Sequence, residues 1–345
     1  LQWKVILSGV WRGLLRQTQS MDPEKAKSAI DPVRLARQSP GSATLIPWSW
    51  PHASSCSAKH SEPNRPISRI LSASMNPGIQ TPAVQTLALT RRFGDFTAVR
   101  DVNLTVAPGQ FFGFLGPNGA GKSTTIKMLT GLLAPTSGRI SILGEDLTEE
   151  TVELKRQIGV VPEGLALFGR LTAPEYLRFV GRMYGLDAAT TTQRTAELLD
   201  FMSLTGDNKK LVTDFSHGMQ KKLALAAAVI HGPKVLFLDE PFEGVDAIAA
   251  NTLKLMLQRM IANGATIFLT SHVLEIVERL CTHVAIIQKG SLVAQGSLED
   301  LRAGVQAAHP GDANRTERAT LEEIFLNVLG TPTAAVPEQE LSWLG

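Results

Sequence analysis

Gly116-Pro117-Asn118-Gly119-Ala120-Gly121-Lys122-Ser123-Thr124 is the stretch whose reading decides the fold. A glycine, four free positions and a second glycine are followed by Lys and Ser, the pattern of a phosphate-binding loop. The apolar run Phe111–Leu115 precedes it and predicts a buried strand, and Ser123–Leu129 comes after it and predicts the start of a helix. The glycines let successive backbone N–H groups converge on an anion, and a helix N-terminus adds positive potential. In that setting Lys122 reaches the β- and γ-phosphates as a point charge, and the Ser123 hydroxyl is placed to bind Mg²⁺. The bland alternative, a Gly-rich turn with a chance lysine, does not account for both flanks.

A second run supports the first. Val235-Leu236-Phe237-Leu238 is an apolar strand that ends in Asp239-Glu240. Ligands in parallel sheets sit at the carboxyl ends of the strands. Asp239 is therefore expected beside the phosphate loop, holding the Mg²⁺ shell. Glu240 is suited to deprotonate or polarise an attacking water.

Between and around these runs the pattern is regular. Gln85–Leu89, Ala98–Val106, Arg139–Leu143, Thr266–Thr270 and Val284–Gln288 read as strands. Ala173–Tyr184, Thr190–Leu204, Met219–Ile230, Ile248–Asn263 and His272–Leu280 read as helices, with Thr172 capping the first ahead of Pro174. Strands alternating with helices of this length predict an α/β fold, with a parallel sheet covered on both faces.

Composition adds limits. The 345 residues leave room for one or two domains. Residues 1–74 hold 10 Lys and Arg against 4 Asp and Glu, and the rest 24 against 28, so the main body is slightly acidic and argues against a nucleic-acid partner. Cys56 and Cys281 are the two cysteines, without disulfide or metal spacing. No apolar run of about 18 residues predicts a transmembrane helix.

Residues 1–74 are rich in Ser and Pro and show little period beyond Trp3–Leu15. They are expected to be a disordered or non-native extension ahead of Met75; a transit peptide and a regulatory arm are the other readings. Residues 331–345 are expected to be a loose tail.

Phe215-Ser216-His217-Gly218-Met219-Gln220-Lys221-Lys222-Leu223 stands one helix before the carboxylate strand. With the phosphate loop and Asp239-Glu240, this order and spacing resemble the ATP-binding cassette (ABC) ATPases, whose signature is Leu-Ser-Gly-Gly-Gln. Phe215 stands for Leu, His217 for the first Gly and Met219 for Gln; Ser216 and Gly218 keep the nucleotide-facing positions. Such variants resemble the daunorubicin-resistance-like exporter branch, as does the later segment Ala319–Leu326.

The resemblance covers roughly residues 84–330 and carries implications for fold, cofactors, site and partners. The implied fold is a P-loop NTPase core with a small antiparallel β subdomain and a helical subdomain near residues 165–230. ATP and Mg²⁺ are the implied cofactors. Gly116, Pro117, Asn118, Gly119, Ala120, Gly121, Lys122, Ser123 and Thr124 cradle the phosphates in this reading, Ser216 and Gly218 serve a second subunit's nucleotide, and Asp246 counts among the nucleotide-binding residues. Asp246 lies in the D-loop Gly244–Ala247, where Ala247 replaces Pro. Glu163 occupies the Q-loop position, where Gln is usual, and joins Ser123 and Asp239 as a Mg²⁺ ligand. His272 is the switch histidine beside Glu240 and Lys122. Phe93 stacks on adenine, with Phe96 as the alternative and a core Phe as the bland reading. The implied protein is an ATPase subunit of an exporter, peripheral on the cytoplasmic face of the plasma (inner) membrane. It works as a dimer, homodimeric by expectation, beneath a separate transmembrane permease. A soluble ABC ATPase or a non-hydrolysing nucleotide-binding module is the alternative.

Overall fold

The computed structural model of the chain describes residues 81–148, 150–308 and 320–329. The expectations for residues 1–74 and 331–345 fall outside them.

Strands β1 (Val84–Phe93) and β2 (Phe96–Val106) form a hairpin across Gly94-Asp95, with Phe93 opposite Phe96. Strand β3 (Phe111–Leu115) runs through the phosphate loop into helix α1 (Lys122–Leu129). Strands β4 (Ser137–Ile142) and β5 (Glu145–Asp146), helix α2 (Val152–Arg156) and strand β6 (Ile158–Val161) come after it. Three helices are next: α3 (Ala173–Met183), α4 (Ala188–Phe201) and α5 (His217–Val229). Strand β7 (Val235–Asp239), helix α6 (Ala247–Ala262), strand β8 (Thr266–Ser271) and helix α7 (Leu274–Leu280) alternate. Strands β9 (His283–Gln288) and β10 (Ser291–Ser297) precede helices α8 (Leu298–Ala308) and α9 (Leu321–Leu329).

Two sheets result. The smaller is antiparallel, in the order β2-β1-β4-β5, and the larger runs β10-β9-β3-β8-β7-β6. All neighbours in the larger sheet are parallel except β10, an antiparallel edge strand. The α/β core with an antiparallel β region and a helical region stands as expected.

The central strands are apolar throughout because each is buried on both faces. Phe111 and Leu115 of β3, Leu236 and Leu238 of β7, and Ile267 and Leu269 of β8 join one core, with Tyr176 and Leu177 of α3, Leu223 of α5 and Leu253 of α6. The alternate residues Phe112, Phe114, Phe237 and Phe268 enter a second core, with Val102 and Leu104 of β2 and Ile126 and Leu129 of α1. The Phe268 ring lies 5.5 Å from Phe112 and 5.6 Å from Phe237, tying three adjacent strands. Each such ring contributes about 1.5–3 kcal/mol by burial.

The helix boundaries have local causes. Helix α3 begins as expected, with the Thr172 N–H donating to Glu175 Oε2 at 2.9 Å and Pro174 in the first turn. Helix α7 does not begin at His272. The Val273 N–H donates to Ser271 Oγ at 3.0 Å, a local turn that delays the helix to Leu274. Helix α5 begins two residues before the expected Met219, because Ser216 Oγ accepts from the Met219 N–H at 3.3 Å and caps it. Strands β6 and β10 were not expected.

Candidate functional site

The phosphate loop sits at the carboxyl end of β3, between β8 and β9. Gly121 precedes α1 with φ at 109°, and a Cβ there would stand 2.7 Å from the Ala98 carbonyl oxygen. At Gly116 a Cβ would run into the Ile287 carbonyl oxygen. Glycine at both positions lets the loop fold down against the sheet.

Lys122 opens α1 with its ammonium turned into the loop. Its Nζ donates to the Gly116 carbonyl at 2.8 Å and to the Pro117 carbonyl at 3.4 Å, and stands 3.8 Å from Glu240 Oε1. Asp239 ends β7 and is 2% exposed. Its Oδ1 accepts from Ser123 Oγ at 3.3 Å and from Thr270 Oγ1 at 2.6 Å. The pair Ser123 and Asp239 is a hydroxyl and a carboxylate, hard oxygen donors of the kind that hold Mg²⁺ with few protein ligands. No cluster of three or more His, Cys, Asp or Glu stands ready for a metal among the described residues.

Glu240 is the next residue and faces elsewhere. Its φ is 48°, a left-handed conformation unusual for a non-glycine. The Glu240 N–H donates to the Thr270 hydroxyl at 3.2 Å, and its carbonyl accepts from Lys221 Nζ at 3.0 Å. Its Oε2 accepts from the His272 N–H at 3.2 Å and lies 3.0 Å from His272 Nδ1. Because α7 starts late, His272 sits on the bend after β8 with both its N–H and its ring turned to the carboxylate.

Lys122, Ser123, Asp239, Glu240 and His272 are thus one group at the sheet edge. Gly116, Pro117 and Asn118 line a cavity of about 220 Å³ there with Ser271, His272, Leu274 and Phe325. Gly119, Ala120 and Thr124 complete the loop and the first turn of α1. Glu163 is exposed just beyond β6, the strand beside β7.

Ser216, Gly218 and Asp246 form a second group at the tips of α5 and α6. A Cβ at Gly218 would meet Asp246 Oδ2 at 3.2 Å. Asp246 Oδ1 accepts from the N–H groups of Ile248 at 3.0 Å and Ala249 at 2.9 Å. The Ala249 bond is the main reason its carboxyl stays below the usual range, with desolvation opposing the shift and the Ile248 bond adding to it. His217 turns its ring onto Gly244 of the same D-loop.

Phe93 is 46% exposed and Phe96 63%, so neither is a core residue. The Arg91 guanidinium covers the Phe93 ring at 4.5 Å from its centroid. Thr270, Lys221 and Arg91 carry no role in the sequence reading. Their only signal there is a polar residue beside an apolar run or an aromatic.

A phosphate loop at the carboxyl edge of a parallel sheet, beside a strand-end Asp-Glu pair, defines a P-loop nucleotide hydrolase. The family model described as ABC transporter matches residues 99–243. The linearmycin resistance ATP-binding protein LnrL of Bacillus subtilis is 39% identical over 218 residues, 63% of this chain and 70% of that protein. The probable multidrug ABC transporter ATP-binding protein YbhF of Escherichia coli is 35% identical over 246 residues, 71% of this chain but 41% of that protein. A solved ATP binding subunit of an ABC transporter superposes with a TM-score of 0.65 at 32% identity, covering 72% of this chain and 99% of that one. The chain belongs to the ABC transporter family. It is an ATP-binding subunit that hydrolyses ATP to energise a transporter.

Proposed function

We propose that this subunit drives export through a separate membrane permease; its relatives are named a linearmycin resistance ATP-binding protein and a probable multidrug ABC transporter ATP-binding protein, which supports the reading. It would sit on the cytoplasmic face of the membrane; no helix among the described residues is long and apolar enough to cross it. Two copies would close head to tail on ATP, each nucleotide held between one copy's phosphate loop and the other's Ser216 and Gly218. Asp246, packed on Gly218, would carry the state of one site toward the other.

At each site Lys122 offers its ammonium to the β- and γ-phosphates, and the loop N–H groups hold the remaining charge. Ser123 and Asp239 would hold Mg²⁺, with Glu163 as a further oxygen donor in this reading. When bound, Mg²⁺ neutralises charge on the phosphates. Glu240 takes the proton of the attacking water, and His272 keeps its carboxylate aimed. Phe93 offers the ring face away from Arg91 to adenine, a stacking contact that any base could make.

The observation that carries this reading is the meeting of Lys122, Glu240 and His272 within 3.8 Å steps at the sheet edge. Glu240→Gln is expected to keep ATP binding and to lower turnover by about 10²-fold, the scale for losing a general base. Turnover near wild type would remove Glu240 from the chemistry.

A further inference from the structure

We infer that Lys221 is a positioning residue for ATP hydrolysis: its buried ammonium fixes the main chain of Glu240 and ties that carboxylate to the helix bearing Ser216 and Gly218. The inference rests on the reading of Glu240 as the residue that takes the water proton.

Lys221 lies on α5, five residues after the capping Ser216. It is 2% exposed, rare for a lysine, and lines a small apolar cavity with Val161, Leu225, Leu238, Leu253 and Leu257. Among the described residues, its Nζ reaches one acceptor, the carbonyl of Glu240, at 3.0 Å. Glu240 is also the residue at φ 48°, so the bond falls on the peptide that needs holding. Thr270 secures the N–H side of the same residue at 3.2 Å, and Lys221 secures the carbonyl side. Between them the left-handed turn is clamped, and the carboxylate is left to face Lys122 and His272.

Burial pushes the Lys221 ammonium down from its ordinary pKa, while the carboxylates of Glu243, Glu163, Glu240 and Asp239 push it back up.

The clamp has a directional consequence. At 1.5 Å rise per residue, Lys221 sits about 7.5 Å along α5 from Ser216. A push on the helix tip by a nucleotide bound at the partner's loop is delivered through a rigid element to the Glu240 carbonyl. One copy's carboxylate is then aimed according to what the other copy holds.

A buried lysine that merely fills space would be replaced by methionine without loss. The test is steady-state ATP hydrolysis and ATP binding for Lys221→Met, Lys221→Ala and Glu240→Gln, with kcat referred to the number of ATP-binding sites so that unfolded protein does not count. Lys221→Met keeps the stem volume and removes the donor. It is expected to lower kcat on the order of tenfold, the scale of one charge-assisted hydrogen bond, with KM for ATP nearly unchanged and Tm held or raised. Lys221→Ala is expected to show the same kcat loss with a lower Tm, since it also opens a cavity. Wild-type kcat in Lys221→Met, with only the alanine variant impaired, would overturn the inference. Should Glu240→Gln itself turn over normally, the reading of Glu240 fails and the role of Lys221 with it. A slow Glu240→Gln beside a normal Lys221→Met overturns Lys221 alone.

Discussion

Asp239 and Glu240 are neighbours in the chain with opposite surroundings. Asp239 is extended at the end of β7 and shares its Oδ1 between Ser123 and Thr270. Glu240 is turned by its positive φ and shares its side chain between His272 and Lys122. One strand end thus holds two carboxylates in different surroundings, which is what the proposed metal-holding and water-facing roles require. Lys122→Ala is expected to abolish ATP binding at millimolar Mg-ATP, and a nucleotide-binding assay showing unchanged affinity would remove the phosphate-loop assignment. Thr270→Val keeps the shape of a fully buried side chain but removes the hydroxyl donor to buried Asp239 Oδ1, while the Glu240 N–H keeps the Thr270 main-chain carbonyl as an acceptor. A loss of about 1–3 kcal/mol is expected, read as a fall in Tm of several degrees. Lys122, Ser123, Asp239 and Glu240 were legible because each stands in a contiguous run, the phosphate loop or the carboxyl end of an apolar strand. Thr270 and Lys221 were not. Their partners lie 31 and 19 positions away, and only the folded sheet shows that they meet.

Helix α3 and the start of β6 meet through a ring stack. Tyr184, the C-cap of α3, lies against His231 with ring centroids 3.6 Å apart. His231 Nε2 is 3.2 Å from the Ile158 carbonyl, so it carries the proton, and Nδ1 is buried with no hydrogen-bond partner among the described residues. Burial first, and Arg194 second, push the His231 pKa down to about 4, partly offset by the Ile158 bond. The folded value lies below the unfolded value near 6.5, so protonation favours unfolding. Stability is complete above pH 6.5 and is lost as pH falls toward 4. His231→Phe keeps the stack without the charge. Its Tm is expected to fall less than that of wild type between pH 6.5 and 4, and parallel melting profiles would exclude the effect. Elements with long apolar or helical periods, such as β3, β8, α3 and α6, were readable. Strand β6 has four residues, one of them Gly159, and β10 is a partly exposed edge. Neither carries enough period to be separated from a loop.

The subunit holds two separate groups, the loop group at the carboxyl ends of the strands and the group Ser216, Gly218 and Asp246 at the tips of α5 and α6, which the proposed dimer would bring together. Glu240→Gln is expected to accumulate an ATP-bound dimer, seen as a doubled mass in sedimentation at saturating Mg-ATP. Gly218→Asp sets a second carboxylate against Asp246 and is expected to block that dimer while the isolated subunit still binds ATP. A monomer in the first case, or a dimer in the second, would count against the sandwich. Which strands would be neighbours was not legible. Alternating strands and helices imply a parallel sheet, but the position of β3 depends on long-range packing of its phenylalanines. That position also sets a timetable for the nascent chain. Strand β3 finds both its partners, β8 and β9, only in sequence far downstream. At roughly 5–20 residues per second, the ~150 residues before β8 take on the order of 10 s to emerge from a ribosome. Through that interval Phe111–Leu115 has neither neighbour, and the nucleotide cradle can close only after most of the cassette has been translated.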